Sequence, residues 1–122
     1  MKSIGIDLVE IDRIQAMTEK YGERFLDRVF TKQEISYCRH TRRGFRHNSL
    51  AARFAAKEAF YKAANPLLGH AIPWHDCEII SDNREIPRIV VTPALKEALG
   101  NPVVHLSLSH THKYAVAVVV ID

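Results

Sequence analysis

The sequence has few cysteines and no long apolar run, and both shortages exclude classes of protein. Only two of the 122 residues are cysteines, Cys38 and Cys77, which are too few and too differently placed for a disulfide framework or a metal knuckle. Both are expected to be reduced, structural thiols. No apolar stretch is long enough to span a bilayer, and the first residues, MKSIGIDLVEI, are cut by Asp7 and Glu10, so they lack the hydrophobic region of a secretory signal. A cytoplasmic protein without a membrane helix is expected.

Internal repeats, low-complexity tracts and linkers are also absent, so the length predicts a single domain over residues 1–122. A domain of this size buries roughly two-thirds of its unfolded surface, and a hydrophobic content of 47% supplies the core. The net charge of +3 is a mild basic excess, which favours anionic partners without identifying one.

Residue patterns predict helices in the first half of the chain and strands in the second. The first half is expected to contain a buried strand at Ser3 to Ile11, helices at Asp12 to Lys20 and Glu23 to Val29, a helix from a capping box of Thr31 and Glu34 to about His40, an exposed loop at Thr41 to His47, and a central helix from Asn48 to Ala64 ended by Asn65 and Pro66. The second half is expected to contain strands at His75 to Ser81, Arg88 to Thr92, Val103 to Ser109 and Tyr114 to Ile121, the last two forming a hairpin, and a helix at Pro93 to Leu99 ended by Gly100. This order predicts an α+β domain with helices packed on one face of a mainly antiparallel sheet.

The last predicted strand, YAVAVVVID, is apolar on both faces. Such a strand needs cover on both sides, either from the helices of its own chain or from another copy. Self-association is the simpler source of the second surface, so we expect an oligomer.

The central helix carries the most informative stretch, RFAAKEAFYKAA from Arg53 to Ala64. Glu58 and Lys62 lie one turn apart, which on a solvated face is an ordinary ion pair worth a few tenths of a kcal/mol. The small residues around them leave a narrow helix that another backbone or a ligand can approach closely, and they are Ala55, Ala56, Ala59 and Ala63. A third ionic residue, Asp7, lies in an apolar run, where a carboxylate needs a partner or a metal.

A basic cluster and a group of histidines allow more than one interpretation. Five arginines fall within fifteen residues, and they form either a solvated basic face or a rim that binds phosphate. They are Arg39, Arg42, Arg43, Arg46 and Arg53. The histidines His105, His110 and His112 suggest zinc, but strand alternation points His105 away from the other two and no cysteine or carboxylate completes a set nearby. Zinc is therefore not expected.

Three motifs together resemble the holo-acyl-carrier-protein synthases, the small bacterial class of 4′-phosphopantetheinyl transferases. They are GIDLVEIDRI from Gly5, RFAAKEAFYKA from Arg53 and HLSLSHT from His105, in the order and spacing of the family. The resemblance implies a 4′-phosphopantetheinyl transferase-like fold and transfer of the phosphopantetheine arm of coenzyme A to a serine of apo acyl carrier protein. It also implies Mg²⁺, release of adenosine 3′,5′-bisphosphate, a role in fatty acid biosynthesis, and a homotrimer with sites between subunits, which fits the doubly apolar last strand.

The resemblance assigns roles to individual residues. Asp7 and Glu58 correspond to the metal ligands, and Lys62 to the lysine that neutralises the phosphates. Glu58, Lys62 and His105 are the expected catalytic residues. The contacts to coenzyme A are expected from Lys62 and His105 together with the basic residues Arg42, Arg43, Arg46 and Arg53. Arg13 and Arg24 correspond to positions that attract the acidic recognition helix of the carrier protein. The pattern leaves open whether a metal-bound water or Glu58 takes the serine proton.

Two segments depart from the family pattern. NPLLGHAIPW and DNREIP replace segments where glycine is more usual, which affects the expected pantetheine and adenine contacts.

A nucleic-acid-binding module would use the arginine cluster, but no aromatic platform is interleaved there, so no nucleic-acid partner is expected. A non-catalytic oligomeric interaction protein would keep the fold without needing Asp7, Glu58 and Lys62 together.

Overall fold

The first and last strands of the chain pair with each other and form the centre of the fold. A computed structural model describes residues 1–40, 44–81, 84 and 86–122. Strand β1 (Ser3–Glu10) runs antiparallel to the last strand (Tyr114–Ile121), which also pairs with the strand before it (Val104–His110). The last strand is therefore the middle strand of a three-stranded antiparallel sheet.

Helices and two short ribbons lie between these strands in sequence. The helices are α1 (Ile11–Tyr21), α2 (Glu23–Val29), α3 (Lys32–Cys38), α4 (His47–Leu68) and α5 (Pro93–Ala98). The strands are β1, β2 (Arg39–His40), β3 (Gly44–Phe45), β4 (Cys77–Ser81), β5 (Pro87–Val91), β6 (Val104–His110) and β7 (Tyr114–Ile121), with a 3₁₀ turn at Trp74–Asp76. Strands β2 and β3 pair with each other, as do β4 and β5. The predicted mixture of helices and antiparallel sheet is confirmed, although β4 and β5 form a ribbon apart from the main sheet.

The start of α3 confirms the predicted capping box. The Thr31 hydroxyl accepts a hydrogen bond from the Glu34 backbone N–H, and Glu34 Oε1 accepts one from the Thr31 N–H at 2.8 Å. Reciprocal bonds of this kind satisfy two backbone donors that a helix start otherwise leaves unpaired. The helix ends at Cys38, slightly earlier than the predicted end near His40.

The predicted end of the central helix at Ala64 is wrong, because α4 continues to Leu68. Pro66 lies in the last turn, where its missing N–H removes a single helical hydrogen bond. Gly69 then ends the helix in the left-handed conformation, with φ of 74°, and its N–H donates to the Asn65 carbonyl at 2.7 Å. A glycine C-cap, and not the proline, is the stop signal here.

The predicted loop at Thr41 to His47 is also partly wrong. Gly44–Phe45 pairs with Arg39–His40, and His47 already belongs to α4. Thr41, Arg42 and Arg43 lie outside the described residues, so the proposed phosphate contacts of Arg42 and Arg43 remain predictions.

Helix α4 packs on the inner face of the sheet at very short range. Ala59 and Ala63 are fully buried, and Gly5 of β1 lies directly against them. A Cβ atom on Gly5 would be 2.0 Å from the Ala59 carbonyl oxygen and 2.8 Å from the Ala63 nitrogen. The close approach expected of a narrow, alanine-rich helix is therefore confirmed. Asp7, two residues after Gly5, lies on the same face of β1.

The opposite face of the sheet is apolar and open to solvent. On β1 the exposed fractions are 55% for Ile4, 58% for Ile6 and 64% for Leu8, so the prediction of a buried first strand is wrong for this face of the single chain. These side chains alternate with the inner set, and across β7 they adjoin half-buried valines. We call the following set the outer apolar face: Ile4, Ile6, Leu8, Val116, Val118 and Val120.

Both cysteines are buried and unpaired, as the sequence predicted. Cys38 and Cys77 are free thiols with no exposed surface, and burial raises the pKa of Cys38 to about 11 and that of Cys77 to about 12. Within residues 1–40, 44–81, 84 and 86–122, no helix combines the length and apolarity required to cross a membrane.

Candidate active site

Asp7 and Lys62 are joined directly, although they are far apart in sequence. Lys62 Nζ donates to Asp7 Oδ1 at 3.0 Å and to the Ile6 carbonyl at 3.0 Å. The Asp7 side chain is mostly buried, whereas that of Lys62 is about half exposed. The contact follows from the Gly5 packing, because it sets β1 against the turn of α4 that carries Lys62. Lys62 therefore pairs with Asp7 and not with its helical neighbour Glu58.

Glu58 lies close to this pair. The carboxylate is half-buried and has no hydrogen-bond partner among the described residues. Burial raises its pKa, and so does the negative charge of Asp7, while the positive charges of Lys62 and Arg13 act in the opposite direction. Two carboxylates, one ammonium and one guanidinium thus converge where β1, α1 and α4 meet.

The convergence suits a cation that is only partly ligated by protein. Ionised Glu58 is disfavoured by burial and by Asp7, and a divalent ion between the two carboxylates would relieve both costs. No group of three His, Cys, Asp or Glu side chains able to hold a metal is found among the described residues. An ion at Asp7 and Glu58 would therefore take its other ligands from water and substrate, as magnesium commonly does.

Arg46 and Arg53 line one groove beside the start of α4. The Arg53 side chain is 4% exposed, its guanidinium lies 3.9 Å from the centroid of the Tyr37 ring, and it donates to Ser81 Oγ at 2.9 Å. Its buried Nε has no hydrogen-bond partner within the described part of the chain. Arg46 is exposed and lines the same groove. A buried cation with an unsatisfied donor is well suited to an anion.

His105 lies on the other side of the sheet. Its backbone is paired with Val120 of β7, so its exposed side chain shares the outer face with Val120, whereas Asp7 lies on the inner face opposite Ala117. Nε2 of His105 is 3.1 Å from Asp122 Oδ2. One chain therefore does not bring His105 to Asp7, Glu58 and Lys62.

Arg13 and Arg24 lie on the surface of α1 and α2. Both are exposed, and Arg13 is near enough to influence the ionisation of Glu58. Arg24 borders a groove together with Met17, Tyr21, Phe25 and Arg28. A basic surface with apolar content thus adjoins the carboxylate cluster.

A fully buried ion pair, which the motifs do not predict, lies next to the site. Lys57 and Glu34 have no exposed side-chain surface, and their charged atoms are 2.8 Å apart. Lys57 also donates to the carbonyls of Val29 and Trp74 at 2.8 and 2.9 Å, and Glu34 accepts from the Ile79 N–H at 2.8 Å. The network ties α4 to α2, α3 and β4 at the residue before Glu58. The sequence signal for this pair is the position of Lys57 among alanines on a helix that is predicted to be buried.

Comparison with known proteins gives one consistent result. The family model described as the 4′-phosphopantetheinyl transferase superfamily matches residues 3–119. A holo-[acyl-carrier-protein] synthase of Protochlamydia amoebophila is 46% identical over 114 residues, covering 93% of this chain and 92% of that protein. The protein of the same name from Chlamydia trachomatis serovar D is 43% identical over 122 residues, covering all of both chains.

Solved structures agree with the sequence relatives. The Neisseria meningitidis holo-[acyl-carrier-protein] synthase superimposes with a TM-score of 0.83 at 33% identity, covering 100% of this chain and 98% of that one. The Helicobacter pylori enzyme, solved in complex with coenzyme A, gives a TM-score of 0.80 at 29% identity and covers 98% and 99%. The match to the family model and the full-length relatives together establish that this chain belongs to the 4′-phosphopantetheinyl transferase superfamily, in its class of holo-[acyl-carrier-protein] synthases.

Proposed function

We propose that this protein transfers the 4′-phosphopantetheine arm of coenzyme A to a serine hydroxyl of apo acyl carrier protein. The reaction requires Mg²⁺ and releases adenosine 3′,5′-bisphosphate. The holo carrier protein then serves fatty acid biosynthesis in the cytoplasm. The observation that carries the proposal is the meeting of Asp7, Lys62 and Glu58, within a chain whose full-length relatives are named for this synthesis.

Asp7 and Glu58 would hold the metal ion. Bound there, Mg²⁺ would neutralise charge on the pyrophosphate oxygens of coenzyme A. The fit is supported by the Glu58 carboxylate, which none of the described residues hydrogen-bonds, and by the raised pKa that burial and Asp7 give it. Lys62, half exposed beside them, can pair with a phosphate oxygen as well as with Asp7, which supports its role as the cation that stabilises the departing bisphosphate.

The groove at the start of α4 would bind the phosphates of coenzyme A. Arg53 is held rigidly against Tyr37 and Ser81, so its remaining donors are oriented before an anion arrives. Arg46 adds an exposed charge at the same groove. We extend this role to Arg42 and Arg43, which follow from the family resemblance alone.

The carrier protein would dock on α1 and α2. Arg13 and Arg24 are exposed there, and the carrier's acidic recognition helix supplies the opposite charge. Arg13 also acts electrostatically on Glu58, so a carrier bound over Arg13 would be close to the carboxylate cluster. Glu58 lies close enough to this cluster to accept the serine proton if a metal-bound water does not.

The outer apolar face would be the interface of a homotrimer. Three exposed aliphatic side chains in a row on β1 form a patch that is costly to leave in water. His105 borders this patch on β6, so a neighbouring copy covering it would meet the imidazole. We propose that His105 completes the site of that neighbour, where it binds coenzyme A and assists catalysis. Active sites would then lie between subunits.

The test is the mass of the carrier protein after incubation with the enzyme, coenzyme A and Mg²⁺. We expect a gain of one phosphopantetheine per carrier, abolished by chelation of the metal. Glu58→Ala should abolish the gain, and Lys62→Ala should slow it while the fold is kept. Lys96→Ala, which removes an exposed lysine on α5, is the matched control and should react at the wild-type rate.

A carrier protein whose mass stays unchanged with wild-type enzyme would overturn the proposal. Salt-dependent retention on nucleic acid in the same preparation would then favour a nucleic-acid-binding function. Unaltered rates for Glu58→Ala would leave the transfer reaction standing but remove the assigned metal site.

A further inference from the structure

His105 has a carboxylate partner that no motif indicated. Its Nε2 lies 3.1 Å from Asp122 Oδ2, and no other side-chain partner of this histidine is found in the described part of the chain. We propose that Asp122 is a positioning residue, which orients the His105 imidazole for its role in the neighbouring subunit's site. The inference rests on the function proposed above for His105.

The strand register explains why these two residues meet. His105 is paired with Val120, and Asp122 follows Val120 by two residues, so both side chains are on the outer face. Residues placed diagonally on two adjacent strands are about 7–8 Å apart, a distance that an imidazole and a carboxylate can bridge. The Asp122 backbone is held in place, since its N–H and C=O both bond to Val103, at 2.9 and 3.2 Å. The pair is therefore built into the β6–β7 hairpin.

The contact also determines which ring nitrogen is presented to a ligand. An ionised carboxylate only accepts hydrogen bonds, so Nε2 of His105 carries the hydrogen in this pair. Nδ1 is then the nitrogen that faces a partner, as an acceptor in neutral imidazole and as a donor in imidazolium. A hydrogen bond from the Met1 amino group and its positive charge, together with His105, lower the pKa of Asp122, which keeps it ionised.

The surroundings indicate when the pair would matter most. His105, Val120 and Ile4 form one row across the outer face of the sheet. A second copy packed on the outer apolar face would exclude water from this row. A hydrogen bond to a carboxylate strengthens when water is removed. In the isolated chain both side chains are about half exposed, and an exposed pair of this kind adds little to stability.

Because the pair adds little to stability, variants that lack it should stay folded, and their kinetics then test the proposal. Asp122→Ala, His105→Ala and the double variant are compared for kcat and for KM toward coenzyme A in the carrier-protein assay. We expect Asp122→Ala to lower kcat/KM about threefold to tenfold, the effect of losing one hydrogen bond of ordinary net strength. The loss should divide between kcat and KM in the same ratio as in His105→Ala, and the double variant should be no slower than His105→Ala.

Two further variants separate positioning from charge and folding. Asp122→Glu should recover most of the activity, because it restores a carboxylate within reach. Glu97→Gln removes an exposed carboxylate from α5 and should leave kcat and KM unchanged. The thermal midpoint and the mass in light scattering should be those of wild type for all single variants.

Several outcomes would overturn the inference. Losses that multiply in the double variant would show that Asp122 acts independently of His105, for example through Met1, 3.1 Å from its other oxygen. Wild-type kinetics of Asp122→Ala would remove any role for it. If His105→Ala itself were fully active, His105 would have no role for Asp122 to support, and the inference would fail. Phosphopantetheine transfer by the wild type would still stand in that case.

Discussion

Gly5→Ala tests the packing that brings Asp7 to the active site. The added Cβ would be 2.0 Å from the Ala59 carbonyl oxygen, about 1.4 Å short of the 3.4 Å at which ordinary contact begins. It would also be 2.8 Å from the Ala63 nitrogen. Both obstacles are backbone atoms of α4, so no side-chain rotation can relieve the clash and β1 must move. Overpacking costs about 1–3 kcal/mol, and we expect about 3 kcal/mol or more here.

Urea unfolding followed by circular dichroism measures this loss. Gly69→Ala is the matched control, because its added Cβ meets nothing within 4 Å and only the φ of 74° is unfavourable. That conformational cost is about 1–2 kcal/mol. The displaced β1 also moves Asp7 relative to Glu58, so kcat/KM of Gly5→Ala should fall under conditions where the protein remains folded. Equal stability of the two variants would refute the packing argument.

Three other predictions follow from buried or half-buried ionisable groups. The pKa of Glu58 is raised above its ordinary value of 4.5, so its ionised form destabilises the fold, and Glu58→Gln should be more stable than wild type at pH 7. Well below pH 4.5 the Glu58 carboxyl of the wild type is protonated in both the folded and the unfolded protein, so the extra stability of Glu58→Gln should vanish. A stability difference that grows in acid would contradict this. Lys57→Met leaves Glu34 buried without its cation and should cost about 3–5 kcal/mol in urea unfolding, whereas a cost below about 1 kcal/mol would show that the pair is dispensable. Cys38 and Cys77, with pKa values raised to about 11 and about 12, should resist a thiol-disulfide reagent at pH 8 in the native protein and react in urea; rapid native reaction would refute their burial.

Local patterns predicted much of the fold. Helix α2 and strand β7 have the predicted bounds, and the capping box of Thr31 and Glu34 forms as expected. Each depends on residues that are close in sequence. The predicted end of α4 is wrong because Pro66 is tolerated in the last turn of the helix, and the helix ends only at its glycine C-cap, Gly69.

Contacts between distant residues were less predictable. Asp7 was expected to need a partner, but only the β1–α4 packing identifies Lys62 as that partner. The Lys57–Glu34 pair joins residues on two helices, so no local pattern contains it. The exposed side chains of β1 are apolar, so the sequence predicts that they are buried. An apolar strand has the same sequence pattern whether it packs against its own chain or against a second copy.

The measurement that tests the central claim most directly is calorimetric titration of Mg²⁺ into the protein in the presence of coenzyme A. We expect the wild type to bind about one ion per active site, and Asp7→Asn and Glu58→Gln each to weaken that binding by more than about tenfold, since each removes an anionic oxygen ligand. Unchanged Mg²⁺ affinity in either variant would show that Asp7 and Glu58 do not share a metal ion.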